Sequence, residues 1–202
     1  MSERHDAIII GAGIIGAAVG LELARKGWRC LNLDRNPAAG YGSTSSSAAV
    51  IRTHYSTLDG TAMAWEAYHA WRDWPAHVGA ADERGLVEFR ETGCLAMHSP
   101  EEMAPVLAHL DALGIRWEAW GPAEIRRRLP GVDLRRFGPP RRPDDPAFGA
   151  PGGDGIEAAV FMPQAGYVPD PQLATHNLQR GAEALGGRFR FNAEVAEVLR
   201  EG

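Results

Sequence analysis

The feature that most restricts this chain is an apolar run of strand length, Ala7-Ile8-Ile9-Ile10, leading directly into Gly11-Ala12-Gly13-Ile14-Ile15-Gly16. A G-x-G-x-x-G turn between a strand and an amphipathic stretch is the context in which glycine spacing carries meaning. Gly11 permits the tight strand-to-helix turn, and Gly13 lets the backbone approach a pyrophosphate without a Cβ in the way. Gly16 allows the helix to pack close on the strand. Phosphates then face unpaired amides at a helix N-terminus, with Ile14 and Ile15 between the glycines, where the helix dipole favours negative charge.

The second half of the pattern follows in order. Residues 17–26 read as a helix with Ala18, Leu21 and Ala24 on one face, and Gly27 is its stop. Cys30-Leu31-Asn32-Leu33 gives a short strand ending at Asp34, eighteen residues after Gly16. A carboxylate there can accept both hydroxyls of an adenosine ribose. The bland alternative is a structural βαβ turn that happens to be rich in glycine.

After Asp34 comes Arg35-Asn36-Pro37-Ala38-Ala39-Gly40-Tyr41-Gly42-Ser43-Thr44-Ser45-Ser46-Ser47, a loop of glycines and hydroxyls. As a linker it is oddly placed, so soon after a ribose-binding acid. A second set of amides and hydroxyls beside a phosphate turn makes better physical sense, because a diphosphate offers many acceptors.

Further along, residues 58–74 read as a helix, with tryptophans 65, 71 and 74 as packing residues rather than a cofactor stack. Residues 86–90 and 92–97 look like two strands, and 100–113 a helix with Met103, Val106, Leu107 and Leu110 as its apolar stripe. Residues 122–129 form a short helix whose Arg126-Arg127-Arg128 reads as a solvated face, a phosphate site being the minor alternative. Prolines and glycines make 138–155 a long surface loop. Strand character returns at 158–162 and 166–168, a helix at 171–185, and closing strands at 188–191 and 195–198.

Composition matters mainly for what it excludes. A net charge of −5 over 202 residues gives no electrostatic case for nucleic acid or an anionic membrane. No apolar run reaches the length of a membrane span, no secretory signal is visible, and two cysteines, Cys30 and Cys94, make no disulfide framework. The expected address is the cytoplasm. The seven histidines show no metal-ligand spacing, so no metal is expected.

The fingerprint, Gly42-Ser43-Thr44-Ser45 and Ile51-Arg52-Thr53-His54-Tyr55 together resemble the FAD-dependent amino-acid oxidoreductases of the D-amino-acid oxidase superfamily. The branch is similar to the beta subunit of heterotetrameric sarcosine oxidase and to dimethylglycine dehydrogenase. Gly166-Tyr167-Val168-Pro169-Asp170-Pro171 resembles the segment where that family's chain returns from substrate domain to flavin domain. The resemblance implies an α/β fold: a Rossmann-like FAD-binding domain of the glutathione-reductase type with part of an α+β substrate domain. The flavin domain would comprise 1–85 and 169–202, and the partial substrate domain 86–168 with its loop at 138–155. Family members are about twice as long, so the C-terminal part of the fold is expected to be missing, and the chain to be an N-terminal portion or to need a complementing chain.

Carried over by the same resemblance, Gly11, Gly13, Ile14, Ile15 and Gly16 would hold the pyrophosphate of FAD, Asp34 the adenosine ribose, and Arg35 would lie beside the adenine. Gly42, Ser43, Thr44 and Ser45 would cover the diphosphate and ribityl chain, Ser46 and Ser47 would lie towards the flavin ring, and Val195 would reach the adenine edge through its backbone. Arg52 matches an arginine that binds the substrate carboxylate, a role that suits a planar guanidinium fork, with an internal ion pair as the bland alternative. His54 and Tyr55 would line the same pocket. Serines stand where dimethylglycine dehydrogenases carry a flavin-linking histidine, so the flavin is expected to be non-covalent at this segment. Ala49 stands where monomeric sarcosine oxidase has an arginine.

The implied reaction is oxidation of the C–N bond of a small amino-acid-like amine, secondary or tertiary, of the sarcosine, dimethylglycine or proline kind, leaving an imine that water hydrolyses. Two rivals stand beside it: a non-catalytic flavin-binding remnant, and an NAD-dependent Rossmann dehydrogenase.

Overall fold

In a computed structural model, residues 3–199 are described. The chain divides into two compact units: one made of residues up to Ile51, Ala67–Arg90 and Gly166 onward, the other of Arg52–Glu66 and Glu91–Ala165. Residues 52–66 therefore group with the second unit.

The first unit is built on a parallel sheet in the order β1-β2-β8, with β1 at Ala7–Ile10, β2 at Cys30–Leu33 and β8 at Arg188–Arg190. Ala7 pairs with Cys30 and Ile10 with Leu33, while Leu31 to Leu33 pair with Arg188 to Arg190. The crossover from β1 to β2 is helix α1, Ile14–Arg25, whose buried residues Ala17, Gly20, Leu21 and Ala24 recur at the spacing of one helix face. Gly27 takes a φ of 78° just after the helix, the left-handed stop expected from its sequence position.

Helix α6, Pro171–Ala184, packs on α1 and has a well-formed start: Pro171 opens it, and the carboxylate of Asp170 accepts the Leu173 N–H at 2.8 Å. Such a cap is worth about 1 kcal/mol. Between the helices lies the unit's core, with Leu21, Trp74, Val78, Val87, Val168 and Leu178 all buried. The opposite face of β1 carries Ile8 and Ile10, which are 59% and 64% exposed.

A two-stranded antiparallel pair, β3 at Val50–Ile51 and β7 at Gly166–Tyr167, completes this unit. Residues 86–90 do not form the expected strand. Arg90 makes a single bridge to Tyr167, and the Val87 N–H is taken by the side chain of Asn177. Nor do residues 195–198. Asn192 turns the chain at a φ of 53°, and the N–H groups of Asn192 and Ala193 bond to Asn36 and Asp34 carbonyls rather than to a strand partner.

The second unit holds an antiparallel sheet in the order β4-β6-β5, formed by Cys94–Ala96, Ala159–Met162 and Glu118–Trp120. The strand at 118–120 has no counterpart in the sequence reading. Trp120 stacks on Phe161 across it, ring centroids 4.2 Å apart. Helix α4, Ala104–Ala112, covers the sheet with Leu107 and Leu110, and α5, Pro122–Arg128, buries Ile125. Arg127 and Arg128 both pair with Glu124, the single carboxylate of this helix, so the arginine run keeps a net positive charge.

Helix α2, Leu58–Arg72, begins in the second unit and ends in the first, where a short α3, Trp74–Val78, follows. Among the described residues, no helix is long and apolar enough to cross a membrane.

Candidate functional site

The glycine turn of the first unit has the geometry its sequence requires. Gly11 has a φ of 110°, and a Cβ on Gly16 would lie 2.2 Å from the Gly11 carbonyl oxygen, so a side chain at neither position could be accommodated without moving the backbone. The first α-helical bond runs from Ala17 N to Gly13 O, which leaves the amides of Ile14, Ile15 and Gly16 without acceptors inside the helix. Ile14 N donates to the hydroxyl of Thr44 at 3.1 Å. A Cβ on Gly13 would meet that same Thr44 oxygen at 3.1 Å. The serine-rich loop thus closes directly on the glycine turn.

That loop is a succession of turns rather than a mobile linker. Gly40 N bonds to Ala12 O at 2.8 Å, anchoring its start to the glycine turn. Ser45 Oγ donates to Gly42 O and Ser47 Oγ to Thr44 O, each at 2.9 Å. Ser43, Ser45 and Ser46 are exposed, while Thr44 is buried. Ala49 then adopts a φ of 47°, a left-handed conformation that costs an alanine roughly 1–2 kcal/mol.

Asp34 is held in place from two sides. Its Oδ2 accepts the Ala12 N–H at 2.7 Å and its Oδ1 accepts the Asn36 N–H at 2.8 Å. A carboxylate offers about four lone-pair sites, so two such bonds leave acceptor capacity for ligand hydroxyls. Ile10, Gly11, Asp34, Arg35, Asn36 and Val195 line one groove of about 310 Å³. Four of the residues expected at a nucleotide (Gly11, Asp34, Arg35 and Val195) are therefore brought together. Asn36, Ala193 and Glu194 join them without having been expected.

A second groove of about 410 Å³ is mostly apolar, lined among others by Ile14, Thr44, Ser47, Ala49, Trp71 and Val168. Trp71 stacks on the buried Trp74, centroids 4.3 Å apart and planes within 8°. Gly42, Ser43, Ser45 and Ser46 line neither groove.

Arg52, His54 and Tyr55 belong to the second unit, on the segment leading into α2. The Arg52 guanidinium lies over the Tyr55 ring at 4.6 Å. Tyr55 is fixed through its backbone, since its N–H donates to Thr61 Oγ1 at 3.3 Å. Burial, reinforced by the Arg52 charge, holds the His54 imidazole below its ordinary pKa, and its Nδ1 is buried without a hydrogen-bond partner. No ion pair to a carboxylate accompanies Arg52 among the described residues.

One further polar cluster lies in the first unit. Asp82, Glu83 and His176 bring ligand-type atoms within 4.8 Å of one another, a grouping that histidine spacing alone does not reveal. The groups already satisfy each other: His176 Nδ1 is 2.7 Å from Asp82 Oδ2, and Arg180 grips Glu83 through two bonds. Asn177 completes the arrangement. Its Oδ1 accepts from Trp74 Nε1 and Val87 N, and its Nδ2 donates to Asp82 Oδ2 and Gly85 O.

The decisive comparison is with a family model described as FAD dependent oxidoreductase (DAO), which matches residues 6–202. The chain belongs to the DAO family. Membership makes it an FAD-dependent oxidoreductase domain and decides against the NAD alternative. Among its relatives is the tRNA 5-methylaminomethyl-2-thiouridine biosynthesis bifunctional protein MnmC of Cupriavidus metallidurans, 29% identical over all of this chain and 27% of that protein. The MnmC of Ralstonia nicotianae is also 29% identical, over 98% of this chain and 27% of its own length.

Of solved structures, L-proline dehydrogenase from P. horikoshii superposes with a TM-score of 0.76 at 21% identity, covering 100% of this chain and 47% of that one. Glycine oxidase from Bacillus cereus gives 0.68 at 19% identity over 98% of this chain and 49% of that one. These likenesses show the DAO fold. The DAO chain described here thus spans about a quarter of the MnmC relatives and just under half of the structural neighbours.

The first unit fits the family's cofactor. Its cradle has glycine at 11, where φ is 110°, and at 13 and 16, where a Cβ would crowd Thr44 or the backbone, with a pre-oriented carboxylate lining the same groove as Gly11.

Proposed function

We propose that this chain carries the flavin-holding part of an oxidoreductase that oxidises the C–N bond of a secondary or tertiary amine bearing a carboxylate, with FAD bound non-covalently at the segments seen here. The observation that carries the reading is Asp34, held by Ala12 N and Asn36 N beside the open amides of the glycine turn. Bound FAD would supply the two-electron acceptor.

The chain's own residues do the rest. The amides of Ile15 and Gly16 are left for the diphosphate, while the Ile14 N–H is held by the Thr44 hydroxyl. Asp34 accepts ribose hydroxyls, and Arg35 and Val195 border the adenine. Ser43, Ser45, Ser46 and Ser47 offer hydroxyls along the loop, and the apolar groove beside Trp71 excludes water. Arg52 binds the carboxylate through its planar fork, steadied by the Tyr55 ring. His54, held neutral by burial, adds no second positive charge to the substrate's ammonium.

A second reading of the substrate is favoured by the MnmC relatives, whose name describes biosynthesis of a methylaminomethyl group, itself a secondary amine, on a tRNA nucleoside. On that reading the amine is tethered to RNA rather than free. The test has two stages. Titrating the purified chain with FAD, followed by tryptophan fluorescence, is expected to show saturable uptake; none would sink the flavin reading. Anaerobic addition of sarcosine, dimethylglycine, proline, or tRNA bearing an N-substituted aminomethyluridine is then expected to bleach the flavin with one class only. Uptake of FAD without bleaching by any of them would overturn catalysis and leave a binding remnant.

A further inference from the structure

Asn32 is a buried polar residue in the sheet of the first unit. It sits mid-strand in β2, is 1% exposed, and faces α1 from a position where a parallel sheet ordinarily buries an aliphatic side chain. Its Nδ2 donates to Gly16 O at 2.8 Å and to Gly11 O at 3.3 Å. Its Oδ1 is buried and has no partner. An unsatisfied buried acceptor costs about 1–3 kcal/mol. Flipping the amide would not help, because it would set the oxygen against two carbonyls.

The two carbonyls that Asn32 joins belong to the first and last glycines of the turn. Between them lie the backbone amides of the glycine turn, of which Ala12 N is held by Asp34 and Ile14 N by Thr44. Asn32 leaves one acceptor unpaired while donating to both ends of the glycine loop, so it bears directly on that loop's geometry. Gly20 is part of the same device: a Cβ there would lie 2.6 Å from Asn32 Oδ1, so the amide fits only because α1 has no side chain at that point.

We infer that Asn32 is a positioning residue for the dinucleotide: by bridging the Gly11 and Gly16 carbonyls it sets the spread of the amides that receive the diphosphate. The inference rests on FAD binding at the glycine turn. Asn32 touches no ligand itself and acts through the backbone.

The test separates affinity from stability in the apo chain. Asn32→Leu keeps the branching and heavy-atom count in a bulkier side chain, removes both donors and removes the orphan acceptor. It is expected to weaken FAD binding roughly ten- to a hundredfold, the size of effect seen when a group that orients a metal ligand is lost. Urea unfolding of the apo protein is expected to shift little, because two donated bonds are lost as one orphan acceptor is removed. Gly20→Ala reaches the same device from the other side, displacing Asn32 without altering it. It is expected to weaken FAD binding although alanine is the better helix former.

Unchanged FAD affinity in folded Asn32→Leu overturns the inference, as does unchanged affinity in Gly20→Ala if the leucine variant does not fold. A wild-type chain that takes up no FAD is a different failure: it removes the flavin reading on which the inference stands.

Discussion

A Cβ on Gly13 would lie 3.1 Å from the Thr44 hydroxyl, which would have to give way, and a β-branched residue there would also stand where the proposed diphosphate approaches. Gly13→Val is expected to weaken FAD binding by roughly a hundredfold, about 2.7 kcal/mol, and Asp34→Asn by about tenfold through loss of charge on the ribose acceptor. Fluorescence titration with FAD checks both, and affinities within twofold of wild type would remove these residues from the site. Both positions stand out in the sequence because the role proposed for them demands one residue type at one spacing. Asn32 does not, since nothing in its spacing distinguishes a strand asparagine that bridges two carbonyls from one that faces water. Asn36 and Glu194 escaped for a related reason: they reach the groove through local turns that have no periodicity.

At the scale of elements, α6 and the stretch 74–87 are joined through one side chain. Asn177 uses all four of its hydrogen-bonding positions on Trp74, Val87, Asp82 and Gly85. Asn177→Leu would leave the indole N–H, a backbone N–H and a carbonyl unpaired in the interior. The expected loss is about 3–5 kcal/mol in urea unfolding of the apo protein, and a loss below about 1 kcal/mol would show the network to be dispensable. The same side chain explains why 86–90 is not a strand despite its strand-like composition: Val87 donates to Asn177 instead of to a neighbouring strand. Helices 14–25, 58–72 and 171–184 were readable because each has an apolar face repeated over three turns or more. Glu118–Trp120 is three residues long, and its strand character comes from Phe161 stacking on Trp120, a partner forty residues away.

For the molecule as a whole, two histidines set the direction of its pH response. His54 and His77 both lie below the ordinary value of 6.5, each chiefly through burial and then through a neighbouring arginine. The unfolded chain therefore binds protons that the folded chain refuses, and stability rises with pH across that interval. The unfolding free energy is expected to fall as pH drops below about 6.5. The variant His54→Gln, His77→Gln should flatten the profile there, and a profile as steep as wild type would assign the effect elsewhere. The two-layer α/β plan of the first unit was readable from its β-α-β order. The grouping of 52–66 with the second unit was not, because α2 runs unbroken through the boundary and no linker composition marks it. Asp34 has one more consequence, felt only in a mixture of nucleotides. If the ribose hydroxyls sit on it as proposed, a negative group fixed by two backbone bonds would repel a 2′-phosphate at that point, so a dinucleotide with a free 2′-hydroxyl is expected to compete better than its 2′-phosphorylated counterpart.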